Sequence, residues 1–280
     1  MALLGVPSVR DVVCMIELRT LGELRLMGSD RRELCAILAQ PKRLALLTYL
    51  AVSTPWQRRD SVVALFWPTL DTEHARGALR QALRFLRREL GDGVLTGRSG
   101  EELGVQAGAL WCDAAAFERA CAAGRLAEAL SFYRGDFLDG FFVSGASPEF
   151  DHWVEAKRAR LRSLVVEAAR ALAERCEAAG DGAAAIRWAR RAFEVSPDGE
   201  HTLRWLLTLL DRLGERAAAV RLYEDFARRL AVEHEVEPSP ETQELMQTVR
   251  RRARPPAQQE SPELALARAW FSAGWCGSCA

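Results

Sequence analysis

Between Asp71 and Leu90 the chain reads DTEHARGALRQALRFLRREL, and this segment limits what the rest can fold into. At about 100° per residue, Leu79, Leu83, Leu86 and Leu90 fall on one narrow stripe, with Ala75 and Ala82 beside it. Such a stripe buries only one side of a helix, so it must rest on a core supplied by other segments. Asp71 or Thr72 serves as N-cap and Gly91 as the residue past the end. Arg76, Arg80, Arg84 and Arg87 form a ridge that begins at the edge of the stripe and turns outward, continued by Arg88, Gln81 and Gly77. Glu73 is the main acidic exception. A solvated helix surface is the bland reading of such a face, but solvated faces usually mix signs, and this one hardly does.

The charge is local. The 280 residues hold 38 Lys/Arg and 38 Asp/Glu, a formal net charge of zero. Ten Lys/Arg face five Asp/Glu between Gln40 and Gly100, whereas nineteen face twenty-four between Trp111 and Arg250. The first part suits a polyanion and the second does not. With 49% hydrophobic and 27% charged residues and no apolar run near the roughly 20 residues of a membrane span, the composition fits a soluble protein with no membrane partner. MALLGVPSVRDVVCM is interrupted by Arg10 and Asp11 and lacks a basic start, which argues against a signal peptide. Seven scattered cysteines do not form a disulfide framework and fit a reducing cytoplasm.

Around the arginine helix the order of elements is informative. IELRTLGELRL alternates apolar and polar residues in two bursts around Gly22, as in a hairpin, and ELCAILA is a third short strand candidate. PKRLALLTYLAV predicts a helix with Pro41 in its first turn and a Leu44/Leu47/Leu50 stripe. A short helix through RRDSVVALFW ends at Pro68, and the arginine helix follows. VLTGRSGEELGVQ then predicts a hairpin over Val94 to Gln106 with Arg98 at its tip. Strands, three helices and a hairpin are the order of an α+β winged helix-turn-helix, whose third helix lies in the DNA major groove and whose wing reaches the neighbouring backbone. Arginine suits both tasks because its planar fork bridges two acceptors on guanine or phosphate. For Arg98 an exposed loop charge is an equally good description.

Beyond Trp111 the chain becomes Ala/Leu/Arg-rich and helical. Gly124, Ala127, Ala129 and Leu130 match Gly180, Ala183, Ala185 and Ile186, and again Gly214, Ala217, Ala219 and Val220. The last two copies are 34 residues apart, the period of tetratricopeptide (TPR) helix pairs. Pro197 falls where such a unit ends, and the glycines become tight turns beside alanines that let paired helices approach. Ala-rich hairpins alike by chance are the alternative. FYRGDFLDGFFVSGASPEF is inserted after the first copy. After Arg254 a Pro/Gln/Ser stretch reads as a linker.

No catalytic constellation emerges. WCGSC near the end resembles a thioredoxin-type motif, but that chemistry needs a following helix and a sheet around Cys276 and Cys279. His74, His152, His201 and His234 lack ligand spacing, and there is no phosphate-cradling Gly-rich loop. The expectation is no enzyme activity, no cofactor and no metal.

PKRLALLTYLA, ALFWPTLDTEHARGALRQALRFLRRELG, YRGDFLDGF, PEFDHWVEAKRARLR and YEDFARRLAVEHEVEPSPE together resemble a family. They look like the bacterial regulators that join a winged-helix DNA-binding domain to a bacterial transcriptional activator domain, of which the Streptomyces antibiotic regulatory proteins are the best known. The resemblance spans about Ile16 to Arg250. It implies an N-terminal antiparallel sheet, a winged helix of the response-regulator type over 16–108 and an all-α TPR-like domain over 111–252, flanked by an extension over 1–15 and a tail over 253–280. It further implies binding of double-stranded DNA at direct repeats, recruitment of RNA polymerase, and a homodimer through the helical domain. Arg76, Arg80, Gln81 and Arg84 are then candidates for base or backbone contact, and Arg87, Arg88 and Arg98 for phosphate. Arg58 stands where relatives often carry a Ser or Thr cap, and Glu101 and Glu102 would repel DNA if the wing turned them toward it. The competing reading is a TPR-type protein-interaction scaffold whose winged helix does not read DNA.

Overall fold

A computed structural model of the chain describes residues 15–53 and 56–253. Cys276, Cys279 and the linker after Arg254 lie outside them. The chain divides into two compact units, one ending at Ala179 and the other beginning at Gly180.

The first unit opens with β1 (Ile16–Arg19) and β2 (Arg25–Met27), the expected hairpin, with Glu17 opposite Met27. Its inward residues Ile16, Leu18 and Leu26 are buried. ELCAILA does not extend the sheet. Only Glu33 bridges back to Met27, and the chain then turns into a short helix, α1 (Cys35–Leu38), that buries Ile37 alone. A short apolar run without alternation carries no information on this choice. Next come α2 (Pro41–Val52), β3 (Gln57–Arg58), α3 (Arg59–Phe66) and α4 (Thr72–Leu90). Leu44, Leu47 and Leu50 are buried as their spacing predicts, but so are Ala45, Leu46, Thr48 and Tyr49, because α2 is packed on several sides and is the central helix of the unit.

β4 (Leu95–Arg98) and β5 (Glu102–Val105) form the predicted hairpin, closed by the Gln106 N–H donating to the Val94 carbonyl at 2.8 Å. β3 adds to it antiparallel, giving the order β3-β5-β4. β6 (Leu110–Cys112) returns to the first sheet and pairs with β1 in parallel, Ile16 opposite Leu110, in the order β2-β1-β6. The first sheet is therefore mixed, not wholly antiparallel as the family resemblance implies. A parallel partner needs a long crossover, here everything from β2 to the wing.

Helices α5 (Asp113–Ala122), α6 (Leu126–Phe132) and α7 (Pro148–Ala178) complete this unit. Asp113 fastens the first of them to the sheet. Its buried carboxylate accepts from the Thr20 N–H (2.8 Å), the Leu21 N–H (3.0 Å), the Thr20 hydroxyl (2.8 Å) and the Ala114 N–H (2.8 Å). The inserted YRGDFLDGF segment then runs alongside the end of β1. Leu21 bridges Phe137, Gly22 donates to the Asp136 carbonyl, and Leu138 donates to that of Thr20. Gly135 is required here, because a Cβ on it would lie 2.9 Å from the Gly22 Cα. From α7, Arg158 donates to the Phe137 and Leu138 carbonyls, and Arg162 grips Asp136, which also accepts from the Tyr133 hydroxyl at 2.7 Å.

The second unit holds α8 (Gly182–Val195), α9 (Glu200–Arg212), α10 (Arg216–Glu233) and α11 (Pro240–Ala253). α9 packs against α8, α10 and α11. Glu200 receives the Ser239 N–H at 3.0 Å and the Ser239 and Thr242 hydroxyls, so the start of α9 holds the start of α11. The repeat seen in the sequence has a local cause. Gly124, Gly180 and Gly214 each follow a helix with φ near +71° to +81°, where a side chain is disfavoured. After α5 and α9 the turns carry the same pair of bonds, Gly124 N–H to Cys121 carbonyl with Arg125 N–H to Ala120 carbonyl, and Gly214 N–H to Asp211 carbonyl with Glu215 N–H to Leu210 carbonyl. The matching Ala129, Ala185 and Ala219 are all 0% exposed, where any larger side chain would have to displace a neighbour.

Replacing Asp113 by Ala leaves at least two buried backbone N–H groups without an acceptor. We expect a loss of about 3 kcal/mol in urea unfolding; an unchanged midpoint would mean that Asp113 does not fasten α5 to β1. The Arg162 hydrogen bond holds the Asp136 carboxyl below its ordinary value of 3.8. A carboxyl depressed in the folded state stabilises it at pH above the unfolded value, and that contribution fades as pH falls through the folded value. Thermal melting should therefore drop as the pH falls below about 4, and the drop should be shallower in Asp136→Asn.

Candidate nucleic-acid interface

The arginine helix α4 begins as its sequence requires. The Asp71 side chain accepts from the Glu73 and His74 N–H groups at 3.1 and 3.0 Å, and its other oxygen lies 2.6 Å from His74 Nδ1. These hydrogen bonds, the one from the His74 N–H foremost, hold the Asp71 carboxyl below its usual range. The helix ends at Gly91, whose φ is +96°. Ala75, Leu79, Ala82, Leu83, Leu86 and Leu90 are all buried, so the predicted stripe is the core side.

The opposite face divides by partner. Arg80, Gln81 and Arg84 are exposed, and among the described residues their side chains have no hydrogen-bond or ionic partner; the same holds for Arg98 on the wing. Arg76 is exposed but tied to Asp60 of α3 at 2.9 Å. Arg88 pairs with Glu89 at 2.8 Å. Arg87 differs from the rest. It is half-buried, and its Nε donates to the Leu95 carbonyl at 3.4 Å, so it fastens α4 to β4. The wing turn passes through Ser99 and Gly100, both with positive φ, which places Arg98 opposite Glu102 at the end of the ladder. Glu101 is exposed at this turn and Glu102 half-buried.

The tertiary structure adds residues that the periodicity of α4 does not reveal. Arg43 of α2 stacks over the Phe85 ring at 4.0 Å, with Arg88 above the same ring at 5.2 Å, extending the cationic surface beyond α4. Arg58 and Arg59 lie at the start of α3, beside α4 and the wing turn. Arg58 occupies the N-cap position and makes no side-chain cap. The wing does that work, because the Glu101 carbonyl accepts the Arg59 N–H at 2.8 Å. Burial, with the nearby Arg87 charge, lowers the Arg59 guanidinium from its ordinary value. The QRRD string was visible, but no local signal says that it reaches α4.

Elsewhere, Asp198 and the adjacent Glu233 and His234 bring their ligand-type atoms within 4.8 Å of one another, although Asp198 lies far from the other two in sequence. All three are exposed, and Arg229 already lies 3.7 Å from Asp198. Among the described residues no helix is long and apolar enough to cross a membrane.

A mostly helical chain with small N-terminal sheets, three helices and a hairpin followed by further helices fits a winged helix joined to a helical domain. The chain belongs to the bacterial transcriptional activator domain family, whose model matches residues 100–250, more than half of its length. It is thus a transcriptional regulator, similar to the Streptomyces antibiotic regulatory proteins. Among solved structures it resembles Mycobacterium tuberculosis EmbR in complex with a low-affinity phosphopeptide, with 21% identity and a TM-score of 0.54 over 92% of this chain and 70% of that one. At that identity the likeness concerns the fold. No curated protein matches.

Proposed function

We propose that this regulator binds double-stranded DNA sequence-specifically, with α4 in the major groove and the β4–β5 wing against the adjacent backbone. The observation that carries the reading is the exposed, unpartnered row of Arg80, Gln81 and Arg84 on a helix whose other face is buried. Such a row is ready to meet guanine and adenine edges. Arg76, restrained by Asp60, contacts a base or a phosphate from the first turns of the helix. Arg88 and Arg98 meet phosphates. Arg87 contributes mainly by holding the wing to α4. The protein acts in the cytoplasm as an activator that recruits RNA polymerase at promoter direct repeats. It dimerises through its TPR-like helical part and needs no cofactor. The equivalent glycine turns and buried alanines support the TPR-like description.

The test is fluorescence-anisotropy binding to pooled promoter fragments from low to physiological salt. We expect binding that weakens with salt yet still prefers some fragments over random DNA. On a preferred fragment, Arg80→Ala should cost about 1–3 kcal/mol and relax the sequence preference. Absence of binding to any duplex at low salt would overturn the reading in favour of a protein-interaction scaffold.

A further inference from the structure

The starts of α3 and α4 and the wing turn surround an open cleft of about 430 Å³. Arg58 and Arg59 line it from β3 and α3, Arg76 and Arg80 from α4, and Gly100 and Glu101 from the wing. Four guanidinium groups from three elements thus meet two carboxylates, those of Asp60 and Glu101. Asp60 is already engaged by Arg76, which leaves Arg58, Arg59 and Arg80 facing Glu101.

Arg59 is the telling member. Its side chain is half-buried, and its Nε is fully buried without a hydrogen-bond partner among the described residues. An N–H withdrawn from water and given no acceptor is costly, and a cation beside Arg87 doubly so. It lies against the wing: a Cβ on Gly97 would be in ordinary contact with an Arg59 terminal nitrogen at 3.6 Å and in tighter contact with the Glu102 carbonyl at 3.3 Å. At the start of α3 the exposed Arg58 stands at the N-cap without capping it, and the Arg59 N–H is taken by the Glu101 carbonyl, so the guanidinium groups and not the helix end are what the cleft offers an anion. This arrangement disfavours a cation, and Leu79 is the one apolar side chain among the residues that line it.

We propose that this cleft is an oxyanion site that takes a tetrahedral phosphate group in the forks of Arg58 and Arg59, with Arg80 completing the cradle. Arginine forks match phosphate oxygens two at a time, and a phosphate there ties the wing turn to both helices. Two sources share this chemistry, a phosphodiester of the DNA backbone and the phosphate of a free small molecule. The first rests on the function proposed above, and the second does not.

The experiment uses the full chain as wild type, Arg59→Gln, Arg58→Gln and, as control, Arg125→Gln at the exposed turn before α6. Each is titrated calorimetrically with inorganic pyrophosphate at matched ionic strength, and by anisotropy with a random 30-base-pair duplex across a salt series. If DNA supplies the phosphate, Arg59→Gln and Arg58→Gln weaken duplex binding by about tenfold and lower the salt slope by about one, while the control does neither. If a free molecule supplies it, pyrophosphate binds the wild type and the control but neither cleft variant, and duplex binding is untouched. Wild-type behaviour of both cleft variants in both assays overturns the proposal. Should Arg59→Gln fail to fold by circular dichroism, the exposed Arg58 carries the same comparison. Pyrophosphate binding lost in the variants of a protein that binds no duplex would sink the DNA reading and keep the cleft. Duplex binding that depends on Arg80 but not on Arg58 or Arg59, with no pyrophosphate binding, would do the reverse.

Discussion

Five rings hold the half of the first unit that carries the arginine helix in place. Trp153 of α7 lies 4.9 Å from Tyr49, 5.6 Å from Phe150 and 5.9 Å from Phe137, while Phe66 packs 5.0 Å from Phe150 and 6.0 Å from Tyr49. They come from α2, α3, α7 and the YRGDFLDGF segment. α3 has only eight residues, too few to persist as a helix without tertiary support. Its Phe66 is fully buried in this cluster, and its Leu65 carbonyl accepts the Ser147 N–H at 2.9 Å just before α7 begins. The turn leading into α4 is therefore set by a helix of the activator-domain region.

That coupling explains why the compact unit runs to Ala179 instead of ending after the wing. β6 completes the sheet begun by β1, Asp113 gathers the end of β1 into α5, and Lys157 of α7 reaches the Val52 carbonyl of α2 at 3.4 Å and Glu118 of α5 at 2.9 Å. A shift of α7 along its axis would have to move aromatic rings and buried carbonyl contacts together with α3. The winged helix and α7 thus share one core, with no separate linker between them.

Electrostatics on α4 works against stability. Exposed pairs such as Arg76–Asp60 and Arg88–Glu89 contribute little, because water and salt screen them. The ridge of like charges is tolerated because Leu79, Leu83 and Leu86 anchor the helix from the other side, each at most 2% exposed. Folding does not call for arginine at Arg80 or Arg84, which are exposed and without a partner among the described residues, and the proposed reading of an anion rests on these two.

The amino-acid sequence alone determined whatever depends on near neighbours. The stripe and ridge of α4 follow from 3.6-residue periodicity, its cap from the reach of Asp71, and the wing from turn residues at Ser99 and Gly100. The turns at Gly124, Gly180 and Gly214 follow from the need for positive φ. Other features depend on partners far along the chain. Only the tertiary structure paired β6 with β1 in parallel, turned ELCAILA into α1, separated Arg87 from the free row of arginines, and brought Arg43, Arg58 and Arg59 to α4. Periodicity reports which face of an element is apolar; it carries no record of which distant surface that face will meet, and that meeting alone decides which charges end up together.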